Sequence, residues 1–547
     1  AHMAAGRNAK ASALMQEALK AQDNPAFRTT LGLSLVGEGQ TASGIKELEV
    51  AYKKDPRQLQ AATALVQLYL RSNQAKKAVP VAEQLVAAQG NNAGFHNLLG
   101  MVQGQAGNIL ASRKAFEKAI SLDANFNQAK LHLAKLEIAT RAYDAATKRL
   151  TDLLQNDPKY SEAMFELAVV AELKGQQGDA QRWLEKARDS APSTENRWDL
   201  ALIDFHLRNG RSGPAFEAAK SASSKRPDDV RTLLAYGRAA ISGGDTIAAK
   251  TALTSATRFA EYDAPMQVEI AGMQLTANNL GGAAYSLDKA LSSRPDLLSA
   301  QALMAEVELR QGEPAKAEKR ARDLVLRSPR LAVGHAILGN VAMARNQLPA
   351  AIEAYRRAHE IEGGTVSLLR LFQAMSQQDS GKQALQLAEQ WIKVHPKDFL
   401  VHKALADGHA RSGNYPSAKL AYEAALKLKS DDAEVLNNLA NVQLRLKDPG
   451  AVKTAEAAMT HAPGNALVID TLGWALFQNG QTDRALQLLR DARLRQPGNP
   501  EIRYHLAVVL AQTGRKTEAR EELDFALKSG SEFESIAQAR SLASSLR

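Results

Sequence analysis

Residues 470–497 read DTLGWALFQNGQTDRALQLLRDARLRQP, and this stretch contains the plan of the whole chain. Gly480 separates two runs of residues that favour helices, and Pro497 follows the second run. Glycine accepts the left-handed backbone conformation that ends a helix, whereas proline cannot continue a helix. The stretch therefore predicts a helix, a glycine turn, a second helix and a proline stop. Residues 98–124, LLGMVQGQAGNILASRKAFEKAISLDA, follow the same plan.

The stop at the end of this unit recurs along the chain. Successive stops are 33, 34 or 35 residues apart, although another residue replaces the proline at several of them. They fall at Pro56, Gly90, Ala124, Pro158, Pro192, Pro227, Glu261, Pro295, Pro329, Glu362, Pro396, Ser430, Pro463 and Pro497. A fixed period of this length is the signature of a repeat protein, in which each unit is one supersecondary structure that packs on its neighbours.

A small residue precedes each stop by eleven or twelve positions, and one more lies in the last unit. The fifteen residues are Gly44, Ala78, Ser112, Ala146, Ala180, Ala215, Ala249, Ala283, Ala317, Ala351, Ala384, Ala418, Ala451, Ala485 and Ala519. Two helices joined by a short turn pack closely only if their crossing point carries almost no side chain. We therefore expect these residues to mark the helix crossings.

A third set of equivalent positions predicts the turns inside the units. It contains glycine or asparagine, the residues that best accept the left-handed conformation at a helix end. The members are Gly39, Asn73, Gly107, Gly175, Gly210, Gly244, Asn278, Gly312, Asn346, Gly413, Gly480 and Gly514.

These patterns resemble the tetratricopeptide repeat (TPR), which has glycine, alanine, an aromatic residue or leucine, and proline at the same places. The resemblance covers roughly residues 25–533. It implies an all-α fold, a right-handed superhelical solenoid of about fifteen TPR-type helix-turn-helix repeats.

The segments outside this pattern are short. We expect residues 1–24 to contain a tag-cleavage scar, Ala1-His2-Met3, and one helix of a partial repeat. We expect residues 534–547 to form a terminal helix whose polar outer face keeps the solenoid end soluble. Two units are irregular: the first helix of 365–398 fits the pattern poorly, and 432–464 is one residue short, so we expect the local superhelical twist to change there.

The composition narrows the possible chemistry. The chain has no cysteine, which excludes disulfides, zinc-thiolate sites and thiol nucleophiles, and no run of 18 apolar residues that could span a membrane. The formal net charge of +10 suits anionic partners such as nucleic acid, acidic polysaccharide or lipid headgroups. The alternative is a solvated helix surface rich in lysine and arginine.

Catalytic and cofactor motifs are absent from the sequence, including GxxxxGKS/T, GxGxxG, GxSxG and HExxH. His402 and His409 can share a helix face, but no carboxylate pattern completes a metal site. The basic stretch Arg310–Arg330 is a candidate anion-binding patch, yet it lacks aromatic residues for base stacking, which argues against nucleic acid. We predict a protein that is not an enzyme and has no cofactor or metal site.

A partner would lie along the concave face of such a solenoid, which the first helices line. The TPR resemblance places groove-facing side chains near the second, fifth, ninth and twelfth positions of each unit. Here these include Asn97, Met101, Asp204, Arg238, Asn340, Lys403, Asp407, Asn441, Trp474 and Tyr504. The alternative for each is a solvated or packing side chain. Trp474 and Tyr504 are the strongest candidates, because exposed aromatic rings stack on sugars or peptide side chains.

Two known TPR groove chemistries fit poorly. Chaperone-binding members clamp a peptide carboxylate with lysine and asparagine four positions apart, and no unit here carries that pair. Sugar-nucleotide transferase members have a long asparagine ladder, whereas asparagines here are scattered, as at Asn97 and Asn437-Asn438.

The last third of the chain resembles a narrower family. The runs NNLANVQL from Asn437, DTLGWALFQNG from Asp470 and NPEIRYHLAVVLAQTGRKTEAREEL from Asn499 are similar to the end of the TPR-repeat lipoprotein of bacterial exosortase (PEP-CTERM) and exopolysaccharide systems. The resemblance implies a longer native chain with an N-terminal lipid-modified cysteine, anchored to the outer membrane in the periplasm.

We therefore expect a non-enzymatic scaffold that binds proteins of envelope export or sorting machinery, and whose net positive charge would also suit an acidic polysaccharide. The alternative is a cytoplasmic TPR adaptor that binds peptides or assembles a signalling complex. A native leader ending in a lipid-modified cysteine would exclude that alternative.

Overall fold

The computed structural model describes residues 7–378, 381–528 and 532–546. Regular structure in these ranges is entirely α-helical, so the prediction of an all-α fold is confirmed. The tag scar proposed at Ala1-His2-Met3 lies outside the described residues. No described helix is both long enough and apolar enough to cross a membrane.

The helices in these ranges are α1 (Asn8–Ala21), α2 (Pro25–Gly37), α3 (Thr41–Lys54), α4 (Leu59–Arg71), α5 (Ala75–Ala88), α6 (Ala93–Gln105), α7 (Ile109–Leu122), α8 (Asn127–Ala139), α9 (Tyr143–Asn156), α10 (Ser161–Leu173), α11 (Gln177–Ser190), α12 (Arg197–Arg208), α13 (Ser212–Lys225), α14 (Val230–Ser242), α15 (Thr246–Phe259), α16 (Ala264–Thr276), α17 (Leu280–Ser293), α18 (Leu298–Arg310), α19 (Pro314–Arg327), α20 (Ala332–Ala344), α21 (Leu348–Glu362), α22 (Thr365–Ser376), α23 (Gly381–Val394), α24 (Phe399–Arg411), α25 (Tyr415–Leu428), α26 (Ala433–Arg445), α27 (Ala451–His461), α28 (Ala466–Gln478), α29 (Thr482–Arg495), α30 (Pro500–Gln512), α31 (Lys516–Lys528) and α32 (Ile536–Ser545).

Helices α2 to α31 form fifteen helix-turn-helix pairs, each with an even-numbered first helix and an odd-numbered second helix. Each first helix packs on its own second helix, and many first helices also pack on the first helix of the next pair, as α16 does on α18. The predicted solenoid of about fifteen TPR-type repeats is confirmed. The chain divides into two compact units, residues 1–261 and residues 262–547.

The small residues mark the helix crossings, as predicted. All fifteen are buried, and most have no exposed surface at all. A Cβ atom added to Gly44 would lie 2.5 Å from Val36 Cγ2 and 2.7 Å from the carbonyl oxygen of Gly32. At the equivalent place in a later repeat, Ser112 Oγ donates a hydrogen bond to the carbonyl oxygen of Gly100 at 2.7 Å.

The twelve predicted turn residues all have positive φ angles. Two further turns of the same kind use Arg141 (φ 62°) and Lys447 (φ 54°). Neither was identified from the sequence, because side chains other than glycine and asparagine enter this conformation only at an energetic cost. The geometry of the turn is therefore more regular than its sequence.

The predicted stops lie just beyond the second helices, as where Pro56 follows α3. Glu362 is different, since it is the last residue of α21, and Gly363 with φ 62° ends that helix. The irregular unit 365–398 begins directly after this extension. In the other irregular unit, 432–464, α27 has only 11 residues, whereas most second helices have 14.

A single helix flanks the pairs at each end of the described residues. Helix α1 packs on α2. The contact is close, because a Cβ atom added to Gly37 of α2 would lie only 2.4 Å from the Nδ2 atom of Asn8 in α1. Ala539 of α32 and Leu546, which directly follows the helix, are buried in a cluster with Leu523 of α31. The other face of α32 is exposed and polar, as at Gln538 and Arg540.

Candidate functional site

The ten predicted groove residues all lie on first helices. They are Asn97 and Met101 on α6, Asp204 on α12, Arg238 on α14, Asn340 on α20, Lys403 and Asp407 on α24, Asn441 on α26, Trp474 on α28 and Tyr504 on α30. Only Asn97 is fully buried, at 6% exposure. Their proposed role as partner contacts stays a prediction.

Besides Asn441, whose Nδ2 atom donates to Thr471 Oγ1 on α28, four of the ten side chains make polar contacts with neighbouring helices. The contacts are His132 Nδ1 to Asn97 Oδ1 (2.9 Å), Tyr355 OH to Asn340 Oδ1 (2.8 Å), Tyr422 OH to Asp407 Oδ1 (2.5 Å) and Lys403 Nζ to Glu434 Oε2 (2.5 Å). Burial, helped by the charge of Lys135, lowers the pKa of His132 to about 4, so its ring is neutral at pH 7. These contacts agree with the packing alternative.

A pocket of about 510 Å³ lies at the C-terminal end of the second unit, among α26, α28, α30 and the start of α32. Sites for small ligands have volumes of roughly 300–1,000 Å³. Three of the predicted groove residues line this pocket, namely Asn441, Trp474 and Tyr504. Met101, Asp204 and Arg238 belong to the first unit and lie elsewhere.

An aromatic cluster forms one part of this C-terminal pocket. The rings of Trp474 and His505 are stacked, with centroids 4.2 Å apart and planes inclined by 17°. Tyr504 stands beside them, with its ring centroid 6.4 Å from that of Trp474. Trp474 and Tyr504 are only partly buried, so the cluster presents apolar ring surface to the pocket.

His505 also belongs to an acidic network. Its Nδ1 atom donates to Asp470 Oδ2 at 2.9 Å, and its Nε2 atom lies 3.6 Å from Glu501 Oε1. Burial lowers the pKa of His505, but the charge and hydrogen bond of Asp470, together with Glu501, outweigh burial and raise it above the ordinary value. The imidazole therefore lies between two carboxylates that favour its charged form.

Amide side chains supply much of the remaining polar lining. The amide residues in the pocket are Asn437, Asn438, Asn441, Gln478, Asn499 and Gln538. Asn437 Oδ1 is buried and accepts no hydrogen bond within the described part of the chain. Asn441 Nδ2 donates to Thr471 Oγ1 at 3.3 Å. An unsatisfied buried acceptor such as Asn437 Oδ1 is costly unless a ligand or water supplies a donor.

The segment before α32 closes the pocket on one side. Glu534 forms an ion pair with Arg445, at the end of α26 and 89 residues earlier in the chain. The backbone N–H of Ser535 donates to Glu501 Oε2 at 3.1 Å, and the Ser535 hydroxyl donates to the other oxygen of the same carboxylate. The C-terminal segment therefore contributes a wall of the pocket in addition to capping the last repeat.

Several of these residues were not identified from the sequence. Asp470 and His505 are 35 residues apart, at corresponding places in successive repeats, as are Asn97 and His132. A search for polar pairs at one repeat length would have found both. The contact between Arg445 and Glu534 has no such signal, because it joins residues of non-adjacent units.

A second pocket in the same unit has mostly apolar walls. It has a volume of about 520 Å³ and lies on α16, α18, α20 and α22, where Val268, Leu303 and Ile337 contribute to its lining. Asn340 and Arg370 are among its few polar side chains. One predicted groove residue, Asn340, therefore lies in an apolar setting.

Two other candidates from the sequence have local structural partners. His402 Nε2 lies 3.0 Å from the carbonyl oxygen of Pro396, and no metal-binding cluster of His, Cys, Asp and Glu side chains occurs among the residues that the structure describes. In the stretch Arg310–Arg330, many cations form ion pairs with nearby carboxylates, which reduces the positive charge left for an anion. The pairs are Arg310–Glu306, Lys316–Glu313, Arg320–Glu308 and Arg322–Glu318.

Two curated proteins are similar to parts of this chain. Cellulose synthase operon protein C of Xanthomonas axonopodis pv. citri (strain 306) is 28% identical over 205 residues, which are 34% of this chain and 14% of that protein. Tetratricopeptide repeat protein 21B of Mus musculus is 22% identical over 429 residues, which are 73% of this chain and 31% of that protein. The chain thus spans less than a third of the length of either relative.

Two solved structures match this chain at low similarity. The Cut9 and Hcn1 hetero-tetramer of APC/C matches with a TM-score of 0.37 and 15% identity, covering 91% of this chain and 98% of the other. The structure of Naa15/Naa10 bound to HypK-THB matches with a TM-score of 0.32 and 13% identity, covering 96% of each chain.

Family models provide a direct assignment. Three models described as tetratricopeptide repeat match residues 35–102 and 476–542, residues 131–194, 303–363 and 403–465, and residues 93–126. Together these segments cover more than half of the 547 residues. With fifteen helix pairs and buried small residues at every crossing, the chain belongs to the tetratricopeptide-repeat family.

Proposed function

We propose that this protein is a scaffold in a bacterial envelope system that exports exopolysaccharide or sorts PEP-CTERM surface proteins. Tetratricopeptide repeats are protein-binding scaffolds, and a long array offers a surface on which weak contacts add up. In this proposal the protein works in the periplasm, held at the outer membrane by a lipid anchor. It assembles export or sorting proteins and contacts the polymer they handle.

The observation that carries the proposal is the composition of the C-terminal pocket. The three sequence runs that resemble the exosortase-associated lipoprotein begin at Asn437, Asp470 and Asn499, and each run contributes side chains to this one pocket. The three runs that carry the resemblance therefore meet at one pocket, so the resemblance is concentrated there and is not a feature of every repeat. The partial similarity to a protein named for a cellulose synthase operon agrees with a polysaccharide setting.

Affinity capture from fractionated cells tests this proposal. Tagged wild-type chain is incubated with separate envelope and cytosolic extracts of the native organism, alongside a Trp474→Ala, Tyr504→Ala double variant. The matched control is Tyr262→Ala, Tyr285→Ala, because these tyrosines are 62% and 61% exposed in the same unit and do not line the C-terminal pocket. Circular dichroism confirms that each variant is folded.

We expect the wild type and the control to capture polysaccharide export or sorting proteins from the envelope, and the double variant to capture less. Exclusive capture of cytosolic proteins would refute the envelope scaffold and support the cytoplasmic adaptor. Equal capture by all three forms would keep the scaffold but remove the C-terminal pocket from its protein contacts.

A further inference from the structure

We infer that the C-terminal pocket binds uncharged sugar residues, and that it selects them over acidic ones. The inference rests on the proposed function, because that function brings a polysaccharide to the protein. It differs from the expectation of an acidic polymer, which was based on the charge of the whole chain. The pocket has a different charge from the chain.

Charge is the first argument. Among the lining residues, three carboxylates (Asp470, Glu501 and Glu534) outnumber the cations, which are Arg445 and, when it is protonated, His505, so the net charge is negative with His505 in either form. Each cation already contacts a carboxylate of the pocket. An acidic sugar would therefore meet like charge and find no free cation, although the chain as a whole carries +10.

Hydrogen-bonding capacity is the second argument. A side-chain amide offers both a donor and an acceptor without charge, which matches the hydroxyl and acetamido groups of a neutral sugar. Six amide side chains line the pocket, and Asn437 Oδ1 among them is buried without a donor. A ligand hydroxyl that donates to this oxygen would satisfy it, so the site favours a ligand rich in hydroxyl groups.

Shape is the third argument. A sugar ring has a C–H face, and this face packs on aromatic rings such as those of Trp474 and Tyr504. The ion pair between Arg445 and Glu534 crosses from α26 to the C-terminal segment, so an extended peptide running along the first helices would meet it. A single sugar ring, or the end of a sugar chain, can occupy the pocket without running past this ion pair. These features favour a sugar over a peptide as the occupant.

Calorimetric titration of the full chain tests the inference. The uncharged probes are cellohexaose and hexa-N-acetylchitohexaose, and the acidic probe of equal length is hexagalacturonate. Variants are Trp474→Ala and the more conservative Asn441→Ala, whose side chain is exposed. Tyr285→Ala, on α17 and outside the pocket, is the matched control. Circular dichroism reports the fold of each variant.

We expect at least one uncharged probe to bind about tenfold more tightly than hexagalacturonate. Trp474→Ala should weaken that binding about tenfold or more, and Asn441→Ala about two- to tenfold, while Tyr285→Ala leaves it unchanged. If Trp474→Ala is misfolded, Asn441→Ala decides the question.

Three results would overturn the inference. They are tighter binding of hexagalacturonate, binding that Trp474→Ala and Asn441→Ala leave intact, and no binding of either uncharged probe. In the last case, capture of envelope machinery that depends on Trp474 would identify the pocket as a protein site, and the proposed scaffold function would stand. Loss of both sugar binding and envelope capture would refute the function as well.

Discussion

One added methyl group at Gly44 is expected to loosen the first helix pair. Alanine stands at thirteen of the fifteen crossing positions, so Gly44→Ala looks harmless in an alignment of the repeats. The structure predicts otherwise, because the new Cβ would lie 2.5 Å from Val36 Cγ2 and 2.7 Å from the carbonyl oxygen of Gly32. Val36 can change rotamer, but the backbone oxygen cannot, so α2 and α3 must move apart.

The magnitude follows from two opposing effects. Overpacking a close-packed site costs about 1–3 kcal/mol, and replacing glycine by alanine inside a helix returns about 1 kcal/mol. The expected net loss is therefore up to about 2 kcal/mol, a rise of up to about thirtyfold in the population of opened helices. Gly272→Ala in α16 is the matched control, since a Cβ atom there meets nothing within 4 Å. This substitution should therefore stabilise the helix by about 1 kcal/mol, because alanine favours a helix more than glycine does.

Hydrogen exchange read by mass spectrometry is the suitable assay, because repeat arrays can open unit by unit and a single unfolding midpoint is then poorly defined. Gly44→Ala should accelerate exchange in peptides from α2 and α3 and leave α16 unchanged. Gly272→Ala should slow exchange in α16. Slower exchange of α2 and α3 in Gly44→Ala would refute the argument that the crossing has no room for a methyl group.

Three further predictions concern the second unit. The pKa of His505 is raised in the folded chain, so the stability it contributes with Asp470 is fully present below the unfolded pKa of about 6.5 and is lost as the pH rises through the folded value. Exchange in α28 and α30, corrected for its intrinsic pH dependence, should accelerate over that interval in the wild type and not in Asp470→Asn. Arg445→Ala and Glu534→Ala should each speed exchange in α32 by no more than about fivefold, with no added effect in the double variant, because the ion pair is partly exposed. Lys447 has a φ of 54°, a conformation that glycine adopts at less cost than lysine. Lys447→Gly should therefore stabilise the turn by up to about 1 kcal/mol and slow exchange in α26 and α27. Faster exchange would show that the lysine side chain has a packing role.

Periodicity was sufficient to predict the fold because each repeat imposes the same steric requirements. Every predicted crossing residue is buried, and every predicted turn residue has a positive φ. The two turn residues that the sequence did not predict have a physical explanation. Arg141 and Lys447 occupy the same left-handed conformation as their glycine counterparts, since the packing of the flanking helices offsets the local cost. A sequence rule based on residue preference cannot find positions where tertiary packing overrides that preference.

The candidate site was predicted less completely than the fold. Position within the repeat placed Asn441, Trp474 and Tyr504 on first helices, where they meet in one pocket. The same rule selected Asn97 and Asp407, whose side chains pack against neighbouring helices. Position in a repeat determines which face a residue occupies, but the neighbouring repeat determines whether its polar atoms are already satisfied. The Arg445–Glu534 pair depends in addition on the accumulated geometry of the helices between the two residues.

The two pockets of the second unit differ in chemistry and are formed by different helices. The apolar pocket lies on α16 to α22, and the amide- and aromatic-lined pocket lies on α26 to α32, with α24 between the two sets of first helices. The ion pair of Arg445 with Glu534 joins non-adjacent units within the C-terminal pocket, and the packing between the two pockets runs through neighbouring units, so a substitution in one pocket has few packed routes to the other. Binding at the two places should then be nearly additive. Under the proposed scaffold function, this independence would let a partner at one place be exchanged while a partner at the other place remains bound.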